Sequence, residues 1–135
     1  MSEFIDTDVW VYAHIDGVDD VRSEQARRLL GDALEPVIST QVLGEYSAVM
    51  IRNRMPPAQV RRNLDEMMAM CRTLPVAAAT VRRAWALRSR YRFCYRDCQM
   101  IAAALDGRCT VLFTGALQHR RSIEGTLQLV DPFLR

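Results

Sequence analysis

Phe4-Ile5-Asp6-Thr7-Asp8-Val9 decides the fold of this chain. Two apolar residues close a short extended run, and carboxylates follow where a strand hands over to a helix. A charge directly behind Phe4-Ile5 gains nothing structurally, so Asp6 reads as a functional acid. Asp8 is placed to cap a segment beginning at Val9. Downstream the pattern of short strand and helix repeats. Strand 1 is expected over Glu3–Thr7, followed by a helix with Ala26, Leu29, Leu30 and Ala33 on one stripe and Gly31 near its end. Pro36-Val37-Ile38 predicts a second strand, after which Ser39 or Thr40 caps a helix with the apolar face Val42, Tyr46, Val49 and Met50. Pro56-Pro57 opens the next helix, whose spacing of Val60, Leu64, Met67, Met68 and Cys71 is helical. Leu74-Pro75-Val76 reads as a third strand, and Val81, Ala84 and Trp85 mark a fourth helix. Tyr95–Asp106 is a fifth, with Gly107 as its C-cap. Val111-Leu112-Phe113 and Leu127–Val130 complete the strands. Short strands alternating with helices predict an α/β fold with a parallel sheet covered on both faces. In such sheets ligands collect beyond the carboxyl ends of the strands, where Asp6 and Thr114 fall.

The chain has 135 residues, half of them hydrophobic and a quarter charged, which suits a single globular domain over 1–135. No stretch approaches the roughly 20 apolar residues of a membrane span. The N-terminus lacks the basic and apolar regions of a signal peptide, so the expected address is the cytoplasm. The net charge of +2 does not advertise a nucleic-acid partner. All 18 basic residues are Arg, which excludes any mechanism requiring a Lys. Cys71, Cys94, Cys98 and Cys109 lack CxxC or Cys/His knuckle spacing and are expected as buried, reduced thiols.

Two further acids sit where a soluble helix would place a hydrophobe. Glu45 shares its face with Val42, Tyr46 and Val49. It must therefore be protonated, paired with an arginine or bound to a metal. Asp97 starts a helix on the stripe continued by Met100, Ile101 and Ala104; it serves either the helix dipole or a site. Carboxylates on three separate elements suit Mg²⁺ or Mn²⁺, which take hard oxygen ligands and substrate phosphate. The run Arg88-Ser89-Arg90-Tyr91-Arg92-Phe93-Cys94-Tyr95-Arg96 alternates cations with aromatics. Its arginines, Arg90, Arg92 and Arg96 above all, either hold RNA phosphates or solvate a helix end. Arg120-Arg121 is a shorter version. His14 and His119 have no partner at catalytic spacing and are expected on the surface, while Met67, Met68 and Met70 suit a core or an adaptable interface.

These segments resemble PIN-domain nucleases, and among them the VapC-type toxins of bacterial toxin–antitoxin pairs. The matching stretches are Phe4–Val9, Ser39-Thr40-Gln41-Val42-Leu43-Gly44-Glu45, Tyr95-Arg96-Asp97 with Met100–Ala104, and Val111–Thr114 with Leu117-Gln118-His119. The resemblance implies a Rossmann-like α/β/α sandwich with a central parallel sheet, and Mg²⁺-dependent endonucleolytic cleavage of structured RNA. It makes Asp6 and Asp97 metal ligands and Glu45 the acid that ligates or orients the attacking water. It also implies a homodimer, and a cognate antitoxin whose C-terminal segment fills the site, often with an Arg.

One departure separates the chain from that pattern. The family usually carries an acidic pair after the strand ending in Thr114, with its fourth carboxylate where Ala116 stands here; this chain reads Gly115-Ala116. Thr114 is left to hold a metal-bound water. A second reading follows, of a degenerate domain that binds RNA or a protein without cutting. Asp6-Thr7-Asp8-Val9 also resembles the nucleophile motif of haloacid-dehalogenase-type phosphatases, but their Lys is missing. A P-loop enzyme is excluded by the absence of GKS or GKT.

Overall fold

The computed structural model describes every residue except Asp16, Val18, Gln118 and Arg135. Its strands are β1 (Glu3–Ile5), β2 (Pro36–Ser39), β3 (Arg72–Leu74), β4 (Val111–Phe113), β5 (Ser122–Ile123) and β6 (Leu127–Val130). Its helices are α1 (Thr7–His14), α2 (Asp20–Asp32), α3 (Thr40–Arg52), α4 (Pro57–Met70), α5 (Ala78–Tyr91) and α6 (Tyr95–Asp106). The strands form one sheet in the order β3-β2-β1-β4-β6-β5, parallel except for β5. All four residues of β2 are buried. Successive side chains of a strand point to opposite faces, so the sheet is covered on both, as an α/β/α sandwich requires. β1 lies between β2 and β4, and the chain moves first to one side of it and later to the other. The crevice of such a sheet opens at that switch point.

The core is continuous from Phe4 and Ile5 through Ile38, Tyr46 and Met50 to Ile101 and Leu112, all fully buried. α5 packs on α6, and α1 packs on both α2 and α3. Among the described residues no helix is long and apolar enough to cross a membrane.

Several local expectations are corrected. β1 ends at Ile5, and Thr7 already belongs to α1. The cap of α1 is Asp6, in extended conformation, whose Oδ1 accepts from Thr7 N at 2.6 Å. Asp8 is not the cap: it lies in the first turn and accepts from Gly115 N at 3.0 Å. β3 runs over Arg72–Leu74 rather than Leu74–Val76, because Pro75 has no N–H to continue the ladder. Gly107 closes α6 with φ of −80°, and the left-handed residue is Arg108. A Cβ at 107 would lie 2.6 Å from Leu74 Cδ1, so the end of that side chain would have to shift to admit one. Trp85 faces outward, 54% exposed, against the ring of Tyr95. Met67 is in the core, while Met68 and Met70 are exposed. Of the four free thiols, Cys94 is exposed and the other three are buried.

His14 is half-buried rather than on the surface. Its Nδ1 lies 2.7 Å from the Tyr46 hydroxyl, which also accepts from Asn63 Nδ2 at 2.9 Å. The hydroxyl and the imidazole share one hydrogen bond whose direction follows the histidine tautomer. Burial holds the His14 pKa below its usual value, with Arg27 acting in the same direction and Glu66 opposing. A histidine with a depressed folded-state pKa stabilises fully above its unfolded value of about 6.5 and loses that contribution as the pH falls through it. Wild-type melting temperature should therefore drop between pH 7 and pH 5.5 by more than that of His14→Asn, which keeps an acceptor but does not titrate. Equal drops would remove His14 from the acid response.

Candidate active site

Four elements meet at the carboxyl end of the central strands. Pairing of Ile5 with Phe113 sets the ends of β1 and β4 side by side. Asp6 and Thr114, both buried, follow those strands directly. Thr114 Oγ1 donates to Asp6 Oδ2 at 2.7 Å and accepts from Ala116 N at 3.2 Å. Glu45 arrives from α3 and is more exposed than its apolar neighbours suggested. Thr7 Oγ1 donates to its Oε1 at 2.7 Å, and Gln41 Nε2 to its Oε2 at 3.2 Å. Asp97 stands in the first turn of α6, where Cys94 Sγ donates to its Oδ2 at 3.1 Å.

One guanidinium joins the three acids. Arg96 Nη2 reaches Asp6 Oδ1 at 2.9 Å and Glu45 Oε1 at 2.6 Å, Nε reaches Glu45 Oε2 at 2.9 Å, and Nη1 reaches Asp97 Oδ1 at 3.0 Å. Asp6, Glu45 and Asp97 therefore share one neighbourhood. Glu45 adopts the arginine-paired arrangement among its alternatives, and Arg96 turns inward instead of lining an outer phosphate track. Arg90 pairs with Glu124 at 3.4 Å, and Arg92 is exposed with left-handed backbone at the end of α5.

The electrostatics follow from these contacts. Burial alone would raise the Glu45 pKa, but the bonds from Arg96, Thr7 and Gln41 outweigh it and hold the carboxyl below its ordinary range. Arg96 is partly buried, which acts to lower its pKa, yet the surrounding acids keep it above the usual arginine value. Asp8 is pushed up to about 6, first by burial and then by the charge of Asp6, while the Gly115 amide works against the shift. Its Oδ1 is buried, without a side-chain partner among the described residues. An apolar wall of Val11, Tyr12, Ala48 and Val49 continues from the acids along a cleft of about 500 Å³. Gln41 and Thr7 were not singled out in the sequence. Gln41 was findable, four residues before Glu45 on one helix face.

Carboxylate and hydroxyl oxygens are the donor chemistry that Mg²⁺ and Mn²⁺ prefer. Among the described residues, however, no three ligating side chains are arranged to hold an ion. Oxygens ringed around a planar guanidinium stand further apart than metal–oxygen bonds of roughly 2.1 Å permit. The donor set fits a divalent cation in kind, with Arg96 standing among the oxygens that would hold it.

Fold and site together define an α/β protein with an acid cluster at the carboxyl end of a parallel sheet. The PIN-domain family profile matches residues 4–121, and the chain belongs to that family. Among solved structures it is similar to Mycobacterium tuberculosis VapC20, a sarcin-ricin-loop-cleaving toxin, at 23% identity and a TM-score of 0.70, covering 84% of this chain and 91% of that one. A toxin–antitoxin complex from Klebsiella pneumoniae matches at 19% identity and a TM-score of 0.72, covering 96% and 97%. FitAcB from Neisseria gonorrhoeae matches at 13% identity and a TM-score of 0.65, covering 97% and 98%. At these identities the likeness speaks for the fold. No curated protein matches the chain.

Proposed function

We propose that this protein is a metal-dependent endoribonuclease of the cytoplasm, the toxin of a type II toxin–antitoxin pair. The observation that carries the reading is the meeting of Asp6, Glu45 and Asp97, from three separate elements, around one cation. Asp6 and Asp97 would hold Mg²⁺ or Mn²⁺. When bound, the ion lowers the pKa of a water ligand and offsets charge building on the scissile phosphate. Glu45, kept anionic, accepts a hydrogen bond from the attacking water and orients it. Thr114 fixes the rotamer of Asp6 and would hold a water of the bound ion. Arg90 and Arg92 face solvent at the end of α5, where RNA phosphates can be met. Tyr91 and Phe93 beside them stack in parallel, 6.0 Å apart. The structural likeness to toxin–antitoxin complexes supports a cognate antitoxin as partner, with the apolar wall of the cleft available to its C-terminal segment. A homodimer belongs to the same proposal, checked by sedimentation.

Protein freed of antitoxin should cleave RNA with Mg²⁺ or Mn²⁺ present, and EDTA, Asp6→Ala or Asp97→Asn should stop it. Glu45→Gln should keep the melting temperature within a few degrees, because Arg96 retains its other two acids, yet lower the cleavage rate about 10²–10⁴-fold. A collapsed melting temperature would make Glu45 structural. Metal-independent RNA binding with intact RNA would favour the non-cutting reading, which Gly115-Ala116 supports. Phosphate release from small phosphoesters would point to phosphatase chemistry.

A further inference from the structure

We propose that Arg96 is an exchangeable counter-ion: its guanidinium and a divalent cation compete for Asp6, Glu45 and Asp97, and the ion enters as Arg96 swings into the cleft. This inference rests on the metal-dependent reading above and concerns how the site is kept before the metal arrives.

Three observations carry it. All three guanidinium nitrogens are committed to the acids, including a longer contact from Nη1 to Asp6 Oδ2 at 3.4 Å. The oxygens that would bind the ion are therefore the ones already bonded to arginine, and the spacing argument above forbids both at once. The charges are also unbalanced. Three carboxylates against one guanidinium leave two negative charges uncompensated, whereas a divalent ion in its place leaves one. Like charges at this range in a partly buried site repel strongly, so the stronger counter-charge wins once it is available. Finally, Arg96 has somewhere to go. Its side chain is 37% exposed and lines the cleft with Val49 and Arg52. Its backbone stays fixed, because Gln41 Nε2 donates to the Arg96 carbonyl at 3.2 Å. Rotation about the flexible stem alone moves the charge. In the cleft the guanidinium can then meet an RNA phosphate, whose fork-like oxygens replace the carboxylates.

The test is a Mn²⁺ titration by calorimetry without RNA, on the full chain. Arg96→Gln should bind Mn²⁺ at least about tenfold more tightly than wild type, and Arg96→Lys should fall between. Affinity unchanged or weakened in Arg96→Gln overturns the inference. Removing the guanidinium leaves the acids unneutralised, so metal-free Arg96→Gln should melt lower and gain more from Mn²⁺ than wild type does. If that variant does not fold, wild type decides alone. In ¹H–¹⁵N spectra the Arg96 Nε–H, bonded to Glu45, should exchange slowly with water, then move to the exposed-arginine position when Mg²⁺ saturates the site. A resonance that stays protected at saturation overturns the inference while the nuclease reading stands. If neither Mn²⁺ nor Mg²⁺ binds wild type or Arg96→Gln, both fall.

Discussion

Asp6→Asn should reduce RNA cleavage about 10³-fold while leaving the fold in place. Asn can still cap α1, because its amide oxygen accepts from Thr7 N as the carboxylate does. Its amide nitrogen faces Thr114 Oγ1, which now donates to Asp6 and accepts from Ala116 N. Thr114 has a second lone pair to accept the new N–H, while its own proton loses the carboxylate that accepted it, a cost of about 1–3 kcal/mol that the fold can bear. What disappears is the negative charge on the most buried of the three acids. Initial cleavage rates beside thermal melts separate the effects. Near-wild-type cleavage by a well-folded Asp6→Asn protein would remove Asp6 from the chemistry.

Phe4→Ala should have the largest effect on stability. Phe4 is fully buried in the middle strand, with Val37 and Leu112 as its cross-strand partners. Truncating a buried phenylalanine costs about 3–5 kcal/mol through lost transfer energy and the cavity left behind. For a domain of this size that lowers the melting temperature by roughly 10 °C or more. Urea unfolding measures the loss directly, and a change below about 1 kcal/mol would mean that the core collapses around the gap. The strand carrying Phe4 also delivers Asp6. Remaining cleavage in Phe4→Ala should therefore follow the folded fraction, whereas Asp6→Asn separates folding from turnover.

The contrast between these two residues shows what the sequence made legible. Helices with a full apolar stripe, such as Thr40–Arg52 and Tyr95–Asp106, were readable because burial imposes their period. α1 was marked only by the acids at the handover from strand to helix, because eight residues are too few to show a full apolar stripe. β5 was missed because two residues cannot show an alternation; its turn depends on left-handed Glu124 and Gly125. In the site, each acid stood out through a charge at an apolar position. Arg96 stood out as an RNA contact and not as the partner of the acids, since its neighbours Tyr95 and Asp97 do not say which way a long flexible side chain turns. The same holds for the Asp8–Gly115 contact, made between segments far apart in the chain.

The bond between Thr114 and Asp6 spans 108 positions, and the Arg96 contact to Asp6 spans 90. Closing such separations is slow relative to forming local helices. A ribosome releases Asp6 and Glu45 long before it releases Asp97 and Thr114. Until β4 leaves the exit tunnel, the growing polypeptide carries only part of its acid cluster. Nascent fragments cut short before β4 therefore cannot complete the pocket.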